Sequence, residues 1–132
     1  MITVLDVSAV MQILRAGEKG ERFHEAWAAA ERCLAPGLYI YELTNTLRKY
    51  QRDGHLSVAE GEQYIAAGIK TIDEFVDATE LWREAFALGV KNNHSIYDMY
   101  YAVLARRHNG TLITNDGDLA KICARENIRC CF

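Results

Sequence analysis

Hydrophobic residues along the chain form short runs and helically spaced sets that alternate from one end to the other. The β-branched run at residues 1–5 predicts a buried strand. Further short strands are predicted at 33–35, at 111–114 in the run TLIT, and at 128–132. Between the strands, apolar residues recur at helical spacing, and turn or capping residues bound each set. We therefore expect helices over residues 8–15, 21–32, 38–52, 57–72, 81–93, 95–108 and 116–126.

Several element boundaries carry recognisable signals. Ser8 is placed to cap the first helix, and Ser57 with Glu60 has the spacing of a capping box. The only proline, Pro36, breaks the chain after the second strand. Short strands separated by helices predict an α/β fold in which helices cover a parallel sheet. With 132 residues and 50% hydrophobic content, we expect one domain that spans residues 1–132.

The composition of the chain limits its possible functions and cellular locations. The net charge is −3, which argues against a protein that coats nucleic acid tightly but not against an enzyme that handles RNA transiently. No apolar run approaches the roughly 20 residues that cross a bilayer, and the first residues resemble a strand and helix rather than a signal peptide. The four cysteines show no CxxC pair. We therefore expect reduced thiols, no membrane association and a cytoplasmic location.

Four acidic residues lie where the chain passes from a strand or loop into a helix: Asp6, Glu42, Asp98 and Asp116. Each alone has an ordinary explanation as a helix cap or as an acid favoured by the helix dipole. The set is more informative, because ligands of open α/β sheets bind at the carboxyl ends of the strands. Asp6 and Asp116 directly follow strands, so both belong at that edge.

The other two acids differ in the helix faces that carry them. Asp98 shares its face with small alanines, which suits packing against the sheet, whereas Glu42 shares its face with polar residues and could simply be solvated. Carboxylates that converge repel one another and need a compensating cation. Oxygen ligands without cysteine or histidine suit Mg²⁺ or Mn²⁺. Such a site can activate water for attack on a phosphodiester.

Four segments, LDVSA, YELTNTLRKY, SIYDMYYAVLA and LITNDGDLA, resemble in this order the motifs of the PIN-domain family, and within it the VapC-type toxins of toxin–antitoxin pairs. The resemblance implies a three-layer α/β/α sandwich with a central parallel sheet and an Mg²⁺- or Mn²⁺-dependent endoribonuclease. The implied catalytic metal ligands are Asp6, Glu42, Asp98 and Asp116. Ser8, Asn45 and Thr114 match positions whose side chains orient the carboxylates or water.

The resemblance also implies partners. These are an RNA substrate, a cognate VapB-type antitoxin that covers the acidic site, and a second copy of the chain, with exposed apolar residues of the early helices available for dimerisation. Asp118 could compete with Asp116 for the metal, although the Thr-x-Asp spacing favours Asp116. Basic residues that could line an RNA path, or could be ordinary solvated charges, are Arg15, Arg48, Lys49, Arg52 and His55.

Two other functions are compatible with parts of the pattern. A non-catalytic module could keep the fold and use its acidic groove to bind a basic peptide or a partner protein. A receiver-like phospho-acceptor also has acids at strand ends, but it requires a lysine at a late strand end, and TLITND contains none. The metal-dependent endoribonuclease is the prediction that uses all four acids.

Overall fold

The computed structural model describes residues 1–132 and contains one five-stranded sheet in which every neighbouring pair is parallel. The strand order is β3-β2-β1-β4-β5. The strands are β1 (Ile2–Leu5), β2 (Arg32–Pro36), β3 (Glu74–Val76), β4 (Thr111–Ile113) and β5 (Arg129–Cys131). The helices are α1 (Val7–Arg15), α2 (Glu18–Ala28), α3 (Leu38–Arg52), α4 (Val58–Lys70), α5 (Trp82–Asn92), α6 (Ile96–Arg107) and α7 (Gly117–Arg125).

The central strand β1 is the point where the chain reverses its direction across the sheet. From β1 the chain moves outward through β2 to β3, and it then crosses to the other side of β1 to form β4 and β5. Leu5 pairs with Ile113, so β1 and β4 end side by side. Open α/β sheets bind ligands at such a reversal, outside the carboxyl ends of the strands.

Helices cover both faces of the sheet. Because parallel crossovers are right-handed, connections that run in opposite directions place their helices on opposite faces. Helices α1 to α4 accordingly pack among themselves, and so do α5 to α7. The central helix α6 contacts β1, β2 and β4, and its residues 101–105 are all buried. The expected three-layer α/β/α sandwich is confirmed.

Local boundaries differ from the sequence-based expectation at three places. Strand β3 was not expected, because three residues are too few to show a period of two. Helix α2 begins earlier and ends earlier than expected, since β2 already starts at Arg32. Ser8 does not cap α1: the cap is Asp6, whose side chain accepts the Ala9 N–H. The capping box of Ser57 and Glu60 is present as expected.

None of the seven helices has the length and apolar character that a bilayer-spanning segment requires. The expected apolar dimer face on the early helices stays a prediction, and α1 and α2 carry no large hydrophobic side chain that is mostly exposed. The largest set of exposed hydrophobic side chains lies on α5, where Trp82, Phe86 and Val90 are 48%, 60% and 65% exposed. They are four residues apart and therefore share one face of the helix.

Candidate active site

Asp6 lies at the centre of the carboxyl edge, directly after β1, and is only 6% exposed. Its Oδ1 accepts hydrogen bonds from the Ser8 hydroxyl at 2.7 Å and from the Ala9 N–H at 2.9 Å. Its Oδ2 accepts the hydroxyl of Thr114, the residue that follows β4. The first turn of α1 therefore holds Oδ1, and the residue that follows β4 holds Oδ2.

Burial dominates the electrostatics of Asp6. It raises the pKa of this carboxyl to about 6, against the lowering effect of the hydrogen bonds from Thr114, Ser8 and Ala9. The negative charge of Asp98 raises the pKa further. Asp6 is thus an acid that the fold keeps in an unfavourable charged state at neutral pH, and a cation at this place would relieve that cost.

Asp98 lies in the first turn of α6, on the face of the sheet opposite to α3. The preceding Ser95 makes no capping hydrogen bond, so Asp98 is not part of a capping box. Its Oδ2 is instead 2.7 Å from Nε2 of His94, and the Asp98 and His94 side chains are 28% and 20% exposed. Asp98 is therefore oriented by a side chain rather than by the backbone.

Glu42 lies in the second turn of α3 and is half-buried. Its Oε1 accepts the phenolic O–H of Tyr101, which is on α6 and 1% exposed. Burial raises the pKa of Glu42, the Tyr101 hydrogen bond lowers it, and the charges of Asp98 and Asp6 raise it further. The residue whose sequence context suggested a solvated side chain thus faces the other two acids.

Asp116 has a different environment from the other three acids. It caps α7, and its Oδ1 accepts the backbone N–H groups of Asp118 at 2.9 Å and of Leu119 at 3.3 Å. Its own N–H donates to the Thr114 hydroxyl at 3.0 Å. Asp118 is exposed, and Asn45 is exposed without a side-chain hydrogen bond. Asp116 is therefore linked to Asp6 through Thr114, and its second oxygen accepts no hydrogen bond.

Three of the four acids interact electrostatically at one edge of the sheet. The charge of Asp98 raises the pKa of Asp6 and of Glu42, the charge of Asp6 also raises that of Glu42, and no basic side chain is among the groups that shift either pKa. As the side chains stand, no three of them converge closely enough to ligate a metal ion directly. Their chemistry nevertheless fits a hard divalent cation, because the donors are carboxylate oxygens and the buried charge of Asp6 is uncompensated.

Two residues of this group were not identified from the sequence. His94 stands four residues before Asp98, a helical spacing that could have suggested a contact, but Ser95 between them resembled a cap. Tyr101 stands three residues after Asp98 and resembled an ordinary core residue. Tyr101 and Glu42 are 59 residues apart in sequence, so no local pattern could reveal their contact.

The basic residues that could line an RNA path are dispersed. Arg15 and His55 line a groove of about 490 Å³ between α1, α3 and the start of α4. No acid of the site lines this groove, and most of its walls are hydrophobic. Arg48 and Lys49 are exposed on α3, and Arg52 pairs with Asp53 at the end of that helix. The groove and the acidic edge are separate features.

Comparison with known proteins identifies the family of this α/β/α sandwich. The family model described as PIN domain matches residues 3–125, and the chain belongs to the PIN-domain family. The chain is also similar to Ribonuclease VapC3 of Pyrobaculum aerophilum. The two are 31% identical over 127 residues, which cover 92% of this chain and 94% of that protein.

Two solved structures share the fold. PAE2754 from Pyrobaculum aerophilum has a TM-score of 0.74 and 21% identity, with 92% of this chain and 84% of that chain covered. A toxin–antitoxin complex from Klebsiella pneumoniae has a TM-score of 0.66 and 18% identity, with coverages of 89% and 90%. At these identities the two structures support the fold, and the argument for function depends on the acidic edge.

Proposed function

We propose that the protein is a VapC-type endoribonuclease that depends on Mg²⁺ or Mn²⁺ and acts as the toxin of a toxin–antitoxin pair. One observation carries the proposal: Asp6 is buried at the carboxyl edge, within reach of the charge of Asp98, and no basic side chain compensates it. A purely structural cluster of this kind would only lower stability. The similar protein from Pyrobaculum aerophilum is named as a ribonuclease, which favours RNA as the substrate.

The proposed ligands of the divalent ion are Asp6, Glu42, Asp98 and Asp116. When bound, such an ion neutralises the cluster, lowers the pKa of water and stabilises negative charge on a phosphodiester. Thr114 and Ser8 orient Asp6 through their hydroxyl groups, and they keep both of its oxygens at the sheet edge. Asn45, exposed one helical turn after Glu42, is proposed to orient a carboxylate or a metal-bound water molecule.

The test is cleavage of RNA by the purified protein. We expect cleavage with Mg²⁺ or Mn²⁺, no cleavage with excess EDTA, and recovery when the ion is restored. Asp6→Asn and Asp98→Asn should lose activity while remaining folded by circular dichroism. Asp53→Asn is the matched control, because Asp53 is an exposed acid that pairs with Arg52 and lies away from the edge.

Equal cleavage by wild type and both site variants would overturn the assignment and indicate a contaminating nuclease. Absence of divalent-ion binding in a calorimetric titration would also overturn it. In that case the same fold would act as a non-catalytic module whose acidic edge receives a basic peptide. The two functions are therefore separated by one titration and one cleavage assay.

We further propose a VapB-type antitoxin as the partner. The similarity to a toxin–antitoxin complex supports this partner class. The acidic edge suits a partner segment with a basic side chain, since such a side chain would compensate the same charges as a divalent ion. We expect the complex to lose ribonuclease activity, and a synthetic C-terminal antitoxin peptide to compete with Mn²⁺ in the titration.

We also propose that the protein acts in the cytoplasm as a homodimer of one-domain chains. The apolar face of α5, formed by Trp82, Phe86 and Val90, is the surface that supports dimerisation best. Its three large apolar side chains are each about half exposed or more and share one helix face, as is typical of an interaction surface. Phe86→Glu should shift the mass measured by light scattering from dimer to monomer, and an unchanged mass would exclude this face.

A further inference from the structure

Glu42 is held differently from the other acids of the edge. Asp6 and Asp116 each accept backbone N–H groups, and those contacts fix the direction of both carboxylates. Glu42 accepts no backbone N–H, and its neighbours on the helix face are polar. Its carboxylate receives the Tyr101 hydroxyl at 2.5 Å. The direction of Glu42 thus depends on one side chain of another helix.

Tyr101 is well placed to control that direction. It is 1% exposed and belongs to the fully buried stretch of α6, so its ring has little freedom. It follows Asp98 by three residues, which places both on one face of the helix. Helix α6 therefore supplies one acid directly and holds a second acid through a phenol. A hydrogen bond from O–H to a carboxylate is of the strong, charge-assisted kind.

The Tyr101 hydroxyl also keeps the Glu42 side chain from turning outward to water. Burial disfavours the charged form of Glu42, and the charges of Asp98 and Asp6 repel it further. A glutamate on a half-exposed helix face could turn to water and escape both costs. Without the phenolic hydrogen, nothing in the contacts of Glu42 would retain it at the edge.

We propose that Tyr101 is a positioning residue of the metal site, which keeps the Glu42 carboxylate turned towards Asp6 and Asp98. This inference rests on the proposed function, because it assigns Glu42 to a divalent ion. Tyr101 itself does not contact the ion or the RNA. Its role is to hold a ligand in place before the ion arrives, as hydrogen-bonding partners of metal ligands commonly do.

The test compares two buried tyrosines. Tyr101→Phe removes one oxygen and leaves the ring in place. Tyr39→Phe is the matched control, since Tyr39 is 0% exposed and its hydroxyl donates to the Gly68 carbonyl at 2.7 Å, not to an acid. Titration with Mn²⁺ by calorimetry should show an affinity about 10- to 100-fold weaker for Tyr101→Phe. Tyr39→Phe should retain the wild-type affinity.

A double-mutant cycle distinguishes positioning from a general loosening of the core. In a Glu42→Ala background, Tyr101→Phe should cause no further loss of Mn²⁺ affinity, because the group it positions is gone. An equal further loss in that background would overturn the proposal. Unchanged Mn²⁺ affinity in Tyr101→Phe alone would overturn it too, while leaving the metal site intact. A wild-type protein that binds no Mn²⁺ would overturn the proposed function first.

Discussion

Asp6 and Asp116 lie at the ends of neighbouring strands, whereas Glu42 and Asp98 lie on helices that reach the same edge from opposite faces of the sheet. We call the first pair, with Thr114, the strand half of the site, and the second pair, with Tyr101 and His94, the helix half. Backbone N–H groups, together with the hydroxyl groups of Ser8 and Thr114, hold the strand half. Side chains alone hold the helix half.

The difference teaches how one site can combine rigidity with adjustment. In the strand half, the pairing of β1 with β4 brings Asp6 beside Thr114, and Asp116 is held near them as the cap of α7. In the helix half, a rotation of one side chain is enough to bring an acid to the edge or remove it. We expect an incoming cation to bind first to the fixed acids. The adjustable acids then complete its set of ligands.

The largest effect is expected from removing the central charge of the strand half. Asp6→Asn keeps the shape and the helix cap, because asparagine also caps helices. It should lower kcat for RNA cleavage by on the order of 10²- to 10³-fold, as expected for loss of one preorganised electrostatic group. A loss of less than about 10-fold would mean that the helix half alone performs the chemistry.

The second prediction concerns pH and the stability of the metal-free protein. The folded protein holds the proton of Asp6 up to about pH 6, whereas the unfolded chain releases it near 3.8. Because the folded state binds more protons between these values, its stability falls as pH rises. Relative to Asp6→Asn, wild type should lose about 2 kcal/mol of unfolding free energy between pH 4.5 and 7.5.

Urea denaturation in EDTA at the two pH values measures this difference. The asparagine variant serves as the reference, since it keeps every other titrating group. Equal changes in the free energy of unfolding of both proteins would show that Asp6 does not cause the pH dependence. Addition of Mn²⁺ at pH 7.5 should restore stability to wild type more than to the variant, because bound ligand stabilises the state that binds it.

The third prediction tests the hydroxyl group that links the two acids of the strand half. Thr114→Val preserves a buried β-branched residue but removes the donor to Asp6 and the acceptor for the Asp116 N–H. We expect the free energy of unfolding to fall by about 1.5 kcal/mol at pH 7.5, because the lost hydrogen bond is to a charged group. At pH 4.5 the loss should be smaller, since Asp6 is then protonated.

Thr3→Val is the matched control for this change. Thr3 is 3% exposed in the neighbouring strand β1, and its buried hydroxyl has no hydrogen-bond partner. Its replacement by valine should therefore be neutral or stabilising. Similar losses for the two threonines would show that burial, and not the contact with Asp6, explains the effect of Thr114.

The smallest effect is expected in the helix half. His94→Ala leaves Asp98 at the edge but removes the group that orients it. It should weaken Mn²⁺ binding by about 10-fold, at the lower end of the range for partners of metal ligands. The control is His108→Ala, at the exposed far end of the same helix. An effect as large as that of Asp98→Asn would make His94 a ligand in its own right.

The same comparison explains how far the sequence could predict the site. The strand half follows from local information, because an acid directly after a buried strand must lie at the edge of a parallel sheet. The helix half depends on contacts between distant segments, such as Tyr101 with Glu42. The polar neighbours of Glu42 suggested a solvated face, and only the contact with Tyr101 across the carboxyl edge gives that residue a buried partner.

The fold was predictable for a related reason. Alternating strands and helices predicted a parallel sheet covered by helices, and β1, β2, β4 and β5 lie where apolar runs indicated. Strand β3 is different, because its residues Glu74–Val76 become a strand only by pairing with β2. The cap of α1 was placed on Ser8, whereas Asp6, for which a cap was one of two possible roles, accepts the Ala9 N–H.

The central claim is that both halves bind the same divalent ion, and a Mn²⁺ titration of four proteins tests it most directly. These are wild type, Asp6→Asn from the strand half, Asp98→Asn from the helix half, and the double variant. We expect each single variant to weaken one common binding event, and the double variant to lose less than the sum of the two single losses. Wild-type affinity in Asp98→Asn would contradict the claim.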